Sequence, residues 1–162
     1  MKLLPFDSRM GLDVTADVER NGSILSFTFA IEGDTEDVVI PPPAPPERAD
    51  GLWQATCFEA FVSVGKTSYI ELNFAPSGQW AAYRFTNYRQ GMSELDMAPP
   101  EIRFADDRLL GTIDLPIEPG ARMNLAAVIE HRSGIRSYWA LAHPTGSRPD
   151  FHAAACFTGR LA

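Results

Sequence analysis

The sequence predicts an all-β fold: an antiparallel β-sandwich of jelly-roll or immunoglobulin-like type with about nine or ten short strands. Three observations carry this expectation. Apolar residues recur mostly at period two, no window of a dozen residues holds a helical stripe, and 12 glycines and 13 prolines cut the chain into short segments. With 162 residues and 45% hydrophobic content, the chain can bury one sizeable core, so one domain over residues 1–162 is expected.

The first hairpin is read from "LDVTADVERNGSILSFTFAIEG", where two alternating arms flank Asn21-Gly22, a dipeptide that tolerates the positive φ angles of a two-residue turn. Next, "VVIPPPAPPERADG" carries five prolines within positions 41–46. Proline removes donors and locks φ, so this is a stiff surface connection inside the domain, not a strand or a boundary. Three strands follow as a meander: "TCFEAFVSV", "SYIELNFA" and "QWAAYRFTNY", joined by "GKT" and "PSG". "EIRFA" and "RLLGTIDLP" around Asp106-Asp107, and "MNLAAVIEH" and "RSYWALAH" around Ser133-Gly134, make two further hairpins. "HPTGSRPDFHAAA" reads as loop and "CFTGRLA" as a closing strand.

Register in the meander follows from burial, because a one-residue slip turns every side chain to the other face. A three-residue loop of Gly65, Lys66 and Thr67 sets Phe58 opposite Phe74 and Val62 opposite Ile70, with Glu59 opposite Asn73 and Phe61 opposite Glu71. On the third strand Ala81, Tyr83 and Phe85 read as the continuation of the core after a tight turn at Ser77-Gly78. That register sets Arg84 opposite Glu71 and places Trp80 on the outer face with Glu59, Asn73 and Glu71. A solvated face is cheaply filled with Lys and Thr; an outward tryptophan among carboxylate, amide and guanidinium groups is not. Such a set suits a sugar, whose C–H face stacks on an aromatic ring and whose hydroxyls take directional, charge-assisted hydrogen bonds. Ala82 and Ala75 leave room beside the aromatic platform. An ordinary cross-strand ion pair between Glu71 and Arg84, with Trp80 covered by a loop, is the structural alternative.

The motifs "GLWQATCFEAFV", "YIELNFAPSGQWAAYRF" and "SYWALAHPTGSRPDFH" resemble bacterial DOMON-like proteins, related to family 9 carbohydrate-binding modules. The resemblance runs from about Leu12 to the C-terminus and implies a β-sandwich that binds a ligand on one sheet, with sugar and haem as the ligand classes. By that resemblance Trp53, Glu59, Asn73 and Arg84 look like the stacking and hydroxyl-binding residues, Glu59 matching by motif. With Trp80 from the register, the candidate ligand-binding set is Trp53, Glu59, Asn73, Trp80 and Arg84. The expected function is a non-catalytic module for a small carbohydrate or sugar-containing metabolite.

Other classes are narrowed by composition. A net charge of -7, with 14 scattered Lys and Arg against 21 Asp and Glu, argues against nucleic acid as a partner. The opening "MKLLPFDSRMGLDV" lacks the apolar run of an export signal, and no stretch approaches a membrane span; the expectation is a cytoplasmic protein with reduced, half-buried Cys57 and Cys156. The second functional reading is a haem carrier or sensor, with His131, His143, His152, Met92 and Met97 as axial candidates. A third is a glycosidase using Glu59 and Glu71. Arg84 beside Glu71 would lower the pKa of that carboxyl, and no nucleophile elbow, phosphate loop or zinc spacing is present. No catalytic residue, metal ligand or cofactor is therefore expected; Asp34, Glu36 and Asp37 read as an acidic turn more simply than as a calcium site.

Overall fold

The computed structural model describes residues 1–162 and shows twelve strands in two antiparallel sheets packed as a sandwich. In chain order these are β1 (Leu4–Pro5), β2 (Leu12–Asn21), β3 (Ile24–Gly33), β4 (Cys57–Ser63), β5 (Tyr69–Phe74) and β6 (Trp80–Phe85). They are followed by β7 (Ser93–Glu94), β8 (Glu101–Ala105), β9 (Arg108–Asp114), β10 (Arg122–Glu130), β11 (Arg136–Ala140) and β12 (Gly159–Arg160). The smaller sheet has the order β2-β3-β9-β8; the larger runs β1-β11-β10-β4-β5-β6-β7, with β12 paired to the start of β10. The strands beyond the expected number, β1 and β7, are two-residue pieces at the two ends of the larger sheet. Apart from short 3-10 turns there is no helix, and none is long and apolar enough to cross a membrane.

The hairpins follow the turn chemistry of the sequence. Asn21 pairs with Ile24, so the first turn is Gly22-Ser23, one residue later than expected, with Gly22 in the left-handed region at φ 64°. Asp106 and Asp107 sit at φ 52° and 57°, the paired positive values of a two-residue hairpin turn that Asp tolerates better than most residues. Between the sheets, Phe27 meets Phe74 at a ring-centroid distance of 5.5 Å and Phe29 meets Phe58 at 5.1 Å. Gly111 on β9 makes space for that packing: a Cβ there would lie 3.0 Å from the Phe74 ring.

The β4–β5 register is the expected one, with Phe58 opposite Phe74, Glu59 opposite Asn73 and Val62 opposite Ile70. The β5–β6 register differs by one residue. Phe74 pairs with Trp80, Leu72 with Ala82 and Ile70 with Arg84, while Glu71 pairs with Tyr83 and Asn73 with Ala81. Trp80 therefore faces the inter-sheet core and is 5% exposed, and Arg84 projects from the end of that same face into solvent. Both were expected on the face of Glu59 and Asn73; neither lies there. The reason is that the larger sheet is covered on both faces. Tyr83 and Phe85 are buried on the outer side against Tyr69, Phe61 and Phe157, so their burial does not mark them as inter-sheet residues.

Trp80 is capped by the connection after the prolines. The Arg48 guanidinium lies 4.3 Å from the centre of its ring and donates to Ala82 O at 2.9 Å and Leu95 O at 2.8 Å. Ala49 N–H donates to Trp80 O at 2.8 Å, so the segment closes the free edge of β6, as a stiff element within the fold.

A second polar network locks the other end of the larger sheet. Buried His131 joins Asp37 Oδ2 at 2.9 Å through Nδ1 and Ser137 Oγ at 2.8 Å through Nε2, and Trp139 Nε1–H donates to the same Ser137 oxygen at 2.9 Å. Asp37, expected as part of a solvated turn, thus anchors that turn to β10 and β11. His131→Ala, which removes both hydrogen bonds of a fully buried ring and leaves a cavity, is expected to lower unfolding free energy by about 1–3 kcal/mol in urea titrations without altering ligand binding. Cys57 and Cys156 are unpaired and fully buried, deeper than expected.

Candidate functional site

The outer face of the larger sheet forms the floor of a cavity of about 990 Å³. Strand alternation turns Cys57, Glu59 and Phe61 from β4, Tyr69, Glu71 and Asn73 from β5, and Ala81, Tyr83 and Phe85 from β6 this way; Glu59, Glu71, Tyr83 and Phe85 line the cavity, while Phe61, Tyr69 and Ala81 join a second hydrophobic cluster under the wall segments. Across one row the order is Ala140, Ala126, Glu59, Asn73 and Ala81. The three alanines are buried in the hydrophobic cluster beneath the wall segments, beside the polar pair.

Three segments raise the walls. The 3-10 turn Leu52–Gln54 carries Trp53, 51% exposed at the mouth, and is entered through Gly51 at φ 71°. The loop after β6 supplies Arg89 and Met92, and the segment between β11 and β12 supplies Arg148, Phe151 and His152. Asn124 on β10 anchors that last segment, donating to Phe151 O at 3.1 Å and accepting from Leu141 N–H at 3.2 Å. Arg89 pairs with Asp150 at 2.8 Å, and Tyr88 OH donates to the same carboxylate, which joins two walls. Tyr83 OH donates to Asp50, bracing the Trp53 turn against β6.

The floor is electrostatically unusual. Glu59 is 3% exposed, and burial pushes its carboxyl well above the usual carboxylate range, with the neighbouring Glu71 adding to the effect. Glu71 is raised to about 7 by burial, opposed by the hydrogen bond from Asn73 Nδ2 at 3.1 Å and by the charge of Arg89. Two buried oxygens, Glu59 Oε1 and Asn73 Oδ1, have no partner in the protein. Native folds leave few such atoms unsatisfied, and these two lie side by side on the cavity face of the sheet.

His152 closes the cluster. The Tyr69 oxygen accepts from Arg89 N–H at 3.2 Å and is hydrogen-bonded to His152 Nδ1 at 2.7 Å. His152 Nε2 faces Glu71 Oε2 at 3.6 Å, too far for a normal hydrogen bond. Burial, with help from Arg89 and against Asp150, lowers the His152 pKa to about 4 and leaves the ring neutral near pH 7.

Of the residues expected at the site, Glu59 and Trp53 line the cavity, and Asn73 lies buried beside Glu59 on the same face of the sheet without reaching the lining. Trp80 and Arg84 lie on the other face, and the argument that Arg84 would hold Glu71 ionised falls with them. Tyr83, Phe85, Asp50, Tyr138 and His152 belong to the cavity but were not in the expected set. The available signal was the density of apolar residues on both faces of "CFEAFV" and "YIELNF", which marks a sheet buried on both sides. The axial haem candidates do not converge here: His131 is bound at both nitrogens, His143 Nε2 lies 2.8 Å from Leu4 O, and Met97 packs beside the inter-sheet core. Only His152 and Met92 line the cavity.

No protein-family model and no curated protein matches the chain. In overall structure it is similar to a "putative carbohydrate-binding protein" from Bacteroides uniformis ATCC 8492, with a TM-score of 0.66 at 15% identity, over 98% of this chain and 84% of that one. At that identity the likeness is one of fold: the chain shares its two-sheet β-sandwich with that protein.

Proposed function

We propose that the chain is a single-domain, DOMON-like, non-catalytic binding module whose cavity takes a small carbohydrate or sugar-containing metabolite. The observation that carries this reading is the pairing of Glu59 Oε1 and Asn73 Oδ1, buried and without protein partners, with an exposed Trp53 ring at the cavity mouth. Buried polar atoms call for hydroxyl or amine partners, and an exposed ring calls for an apolar face; a pyranose has both. A volume of about 990 Å³ accommodates a mono- or disaccharide. The likeness to the B. uniformis protein supports a binding role.

The test is a tryptophan-fluorescence titration with mono- and disaccharides. A saturable response is expected, weakened about tenfold or more by Trp53→Ala and by Asn73→Ala and unchanged by Arg84→Ala. A flat response across the panel overturns the reading. Release of monosaccharide from the disaccharides, abolished in Glu59→Gln, would replace binding with hydrolysis.

A further inference from the structure

The cavity is rich in acids. Glu59, which lines it, leaves Oε1 without a protein partner, and buried beside it Asn73 leaves Oδ1 unpartnered while donating one N–H to Glu71 Oε1 at 3.1 Å. Four carboxyl groups line the cavity, from Asp50, Glu59, Glu71 and Glu94, against the cations Arg89 and Arg148. Arg89 is paired with Asp150 at 2.8 Å, outside the lining. Trp53, Tyr83 and Tyr138 add aromatic surface to the walls, which attracts cations. The net charge of -7 favours approach of a positive ligand over a negative one.

A neutral hydroxyl brings a single donor to this floor. A primary ammonium brings three donors and the charge that compensates a buried carboxylate. We propose that the group recognised on the floor is a primary ammonium, held by Glu59 and Asn73, and that the ligand is an amino sugar with a free amine. This rests on the carbohydrate reading and narrows it. N-acetylation would remove the charge and add bulk beside the buried Glu59 carboxyl.

Binding then exchanges a proton. Free Glu59 holds its proton because it is buried; beside an ammonium it ionises, and the proton leaves to solvent while the amine keeps its own. Around Glu59, Cys57 on the same strand is held as a thiol by burial, Asn73 is neutral, and on the wall segments His152 is neutral and Arg89 stays charged. Glu71, raised to about 7, is the one neighbour that competes for the proton, and near pH 6 it too remains protonated.

The experiment is isothermal titration near pH 6 with glucosamine, galactosamine and mannosamine, each against its N-acetyl form and its parent hexose, in buffers of differing ionisation enthalpy. At least one free amine is expected to bind about tenfold or more tightly than both of its counterparts and to release about one proton, with none released by the hexose. Glu59→Gln is expected to erase both the preference and the release while unfolding at or above the wild-type midpoint. Equal affinity of the amine and hexose forms, or tighter binding of the N-acetyl form, overturns the amine inference and leaves the sugar reading standing. No binding by any saccharide overturns both.

Discussion

Trp80→Ala is expected to lower the unfolding free energy by about 3–5 kcal/mol, the range for removing a large buried aromatic side chain. Trp80 packs in the inter-sheet core, opposite Phe74 across β5–β6 and beneath Arg48. Its Nε1–H has no partner, so the loss comes from packing and from the stacked guanidinium, with no hydrogen bond to forfeit. Denaturant unfolding is the measurement, and a fall in midpoint at constant slope is the expected form. Trp80→Phe, which keeps a ring in the space, is expected to restore most of the loss. Trp53→Ala, at an exposed position, is expected to stay within about 0.5 kcal/mol of wild type. A Trp80→Ala protein of native stability that had lost ligand binding would show the β6 register to be wrong.

The second large effect is a fall in stability as pH rises through neutrality. A carboxyl whose folded pKa lies above its unfolded value stabilises the fold below the unfolded value and loses that contribution as pH climbs through the folded one. For Glu71 that interval runs from 4.5 to about 7. At about 1.4 kcal/mol per pH unit, the contribution lost is of the order of 3 kcal/mol, and Glu59 acts in the same direction. His152 has the opposite sense: its neutral form favours the fold above pH 6.5, and that advantage is lost as pH falls through about 4. Between pH 4.5 and 6.5 the two contributions nearly cancel, so stability is expected to rise on leaving acid, hold over that interval, and decline above about 6.5 as the rest of the Glu71 contribution is lost, with Glu59 adding to the decline. Glu71→Gln, which can still accept the Asn73 hydrogen bond, should match wild type near pH 5 and exceed it near pH 8.5 in thermal melts. A wild-type melting temperature that rises over that interval would contradict the buried, protonated Glu71.

The contrast between β4–β5 and β5–β6 shows where sequence reasoning stops. Between β4 and β5 the three-residue loop and matched apolar sets Phe58, Ala60, Val62 and Phe74, Leu72, Ile70 leave one sensible pairing. In β6 both alternating sets contain large buried groups, Trp80 on one side and Tyr83 and Phe85 on the other, and hydrophobicity alone does not rank them. Arg84 is the informative residue, since a charge at the end of a core-facing row can reach solvent past the sheet edge. The polar pair Glu59 and Asn73 was legible because it depended only on the first register. Asp50 and His152 were not, because loops far apart in the chain bring them to the floor through Asn124, Asp150 and Tyr83.

Strand alternation in β4 to β6 assigns adjacent residues to different selective pressures. Phe58, Ala60 and Val62 answer to the inter-sheet core, whereas Glu59, on the same strand, with Glu71 and Tyr83 on the neighbouring strands, answers to whatever enters the cavity. Exchanging Glu59 or Tyr83 would change the cavity lining without touching the inter-sheet interface. Lineages carrying this architecture can therefore change ligand by point substitution on one side of a sheet, while the other side preserves the scaffold.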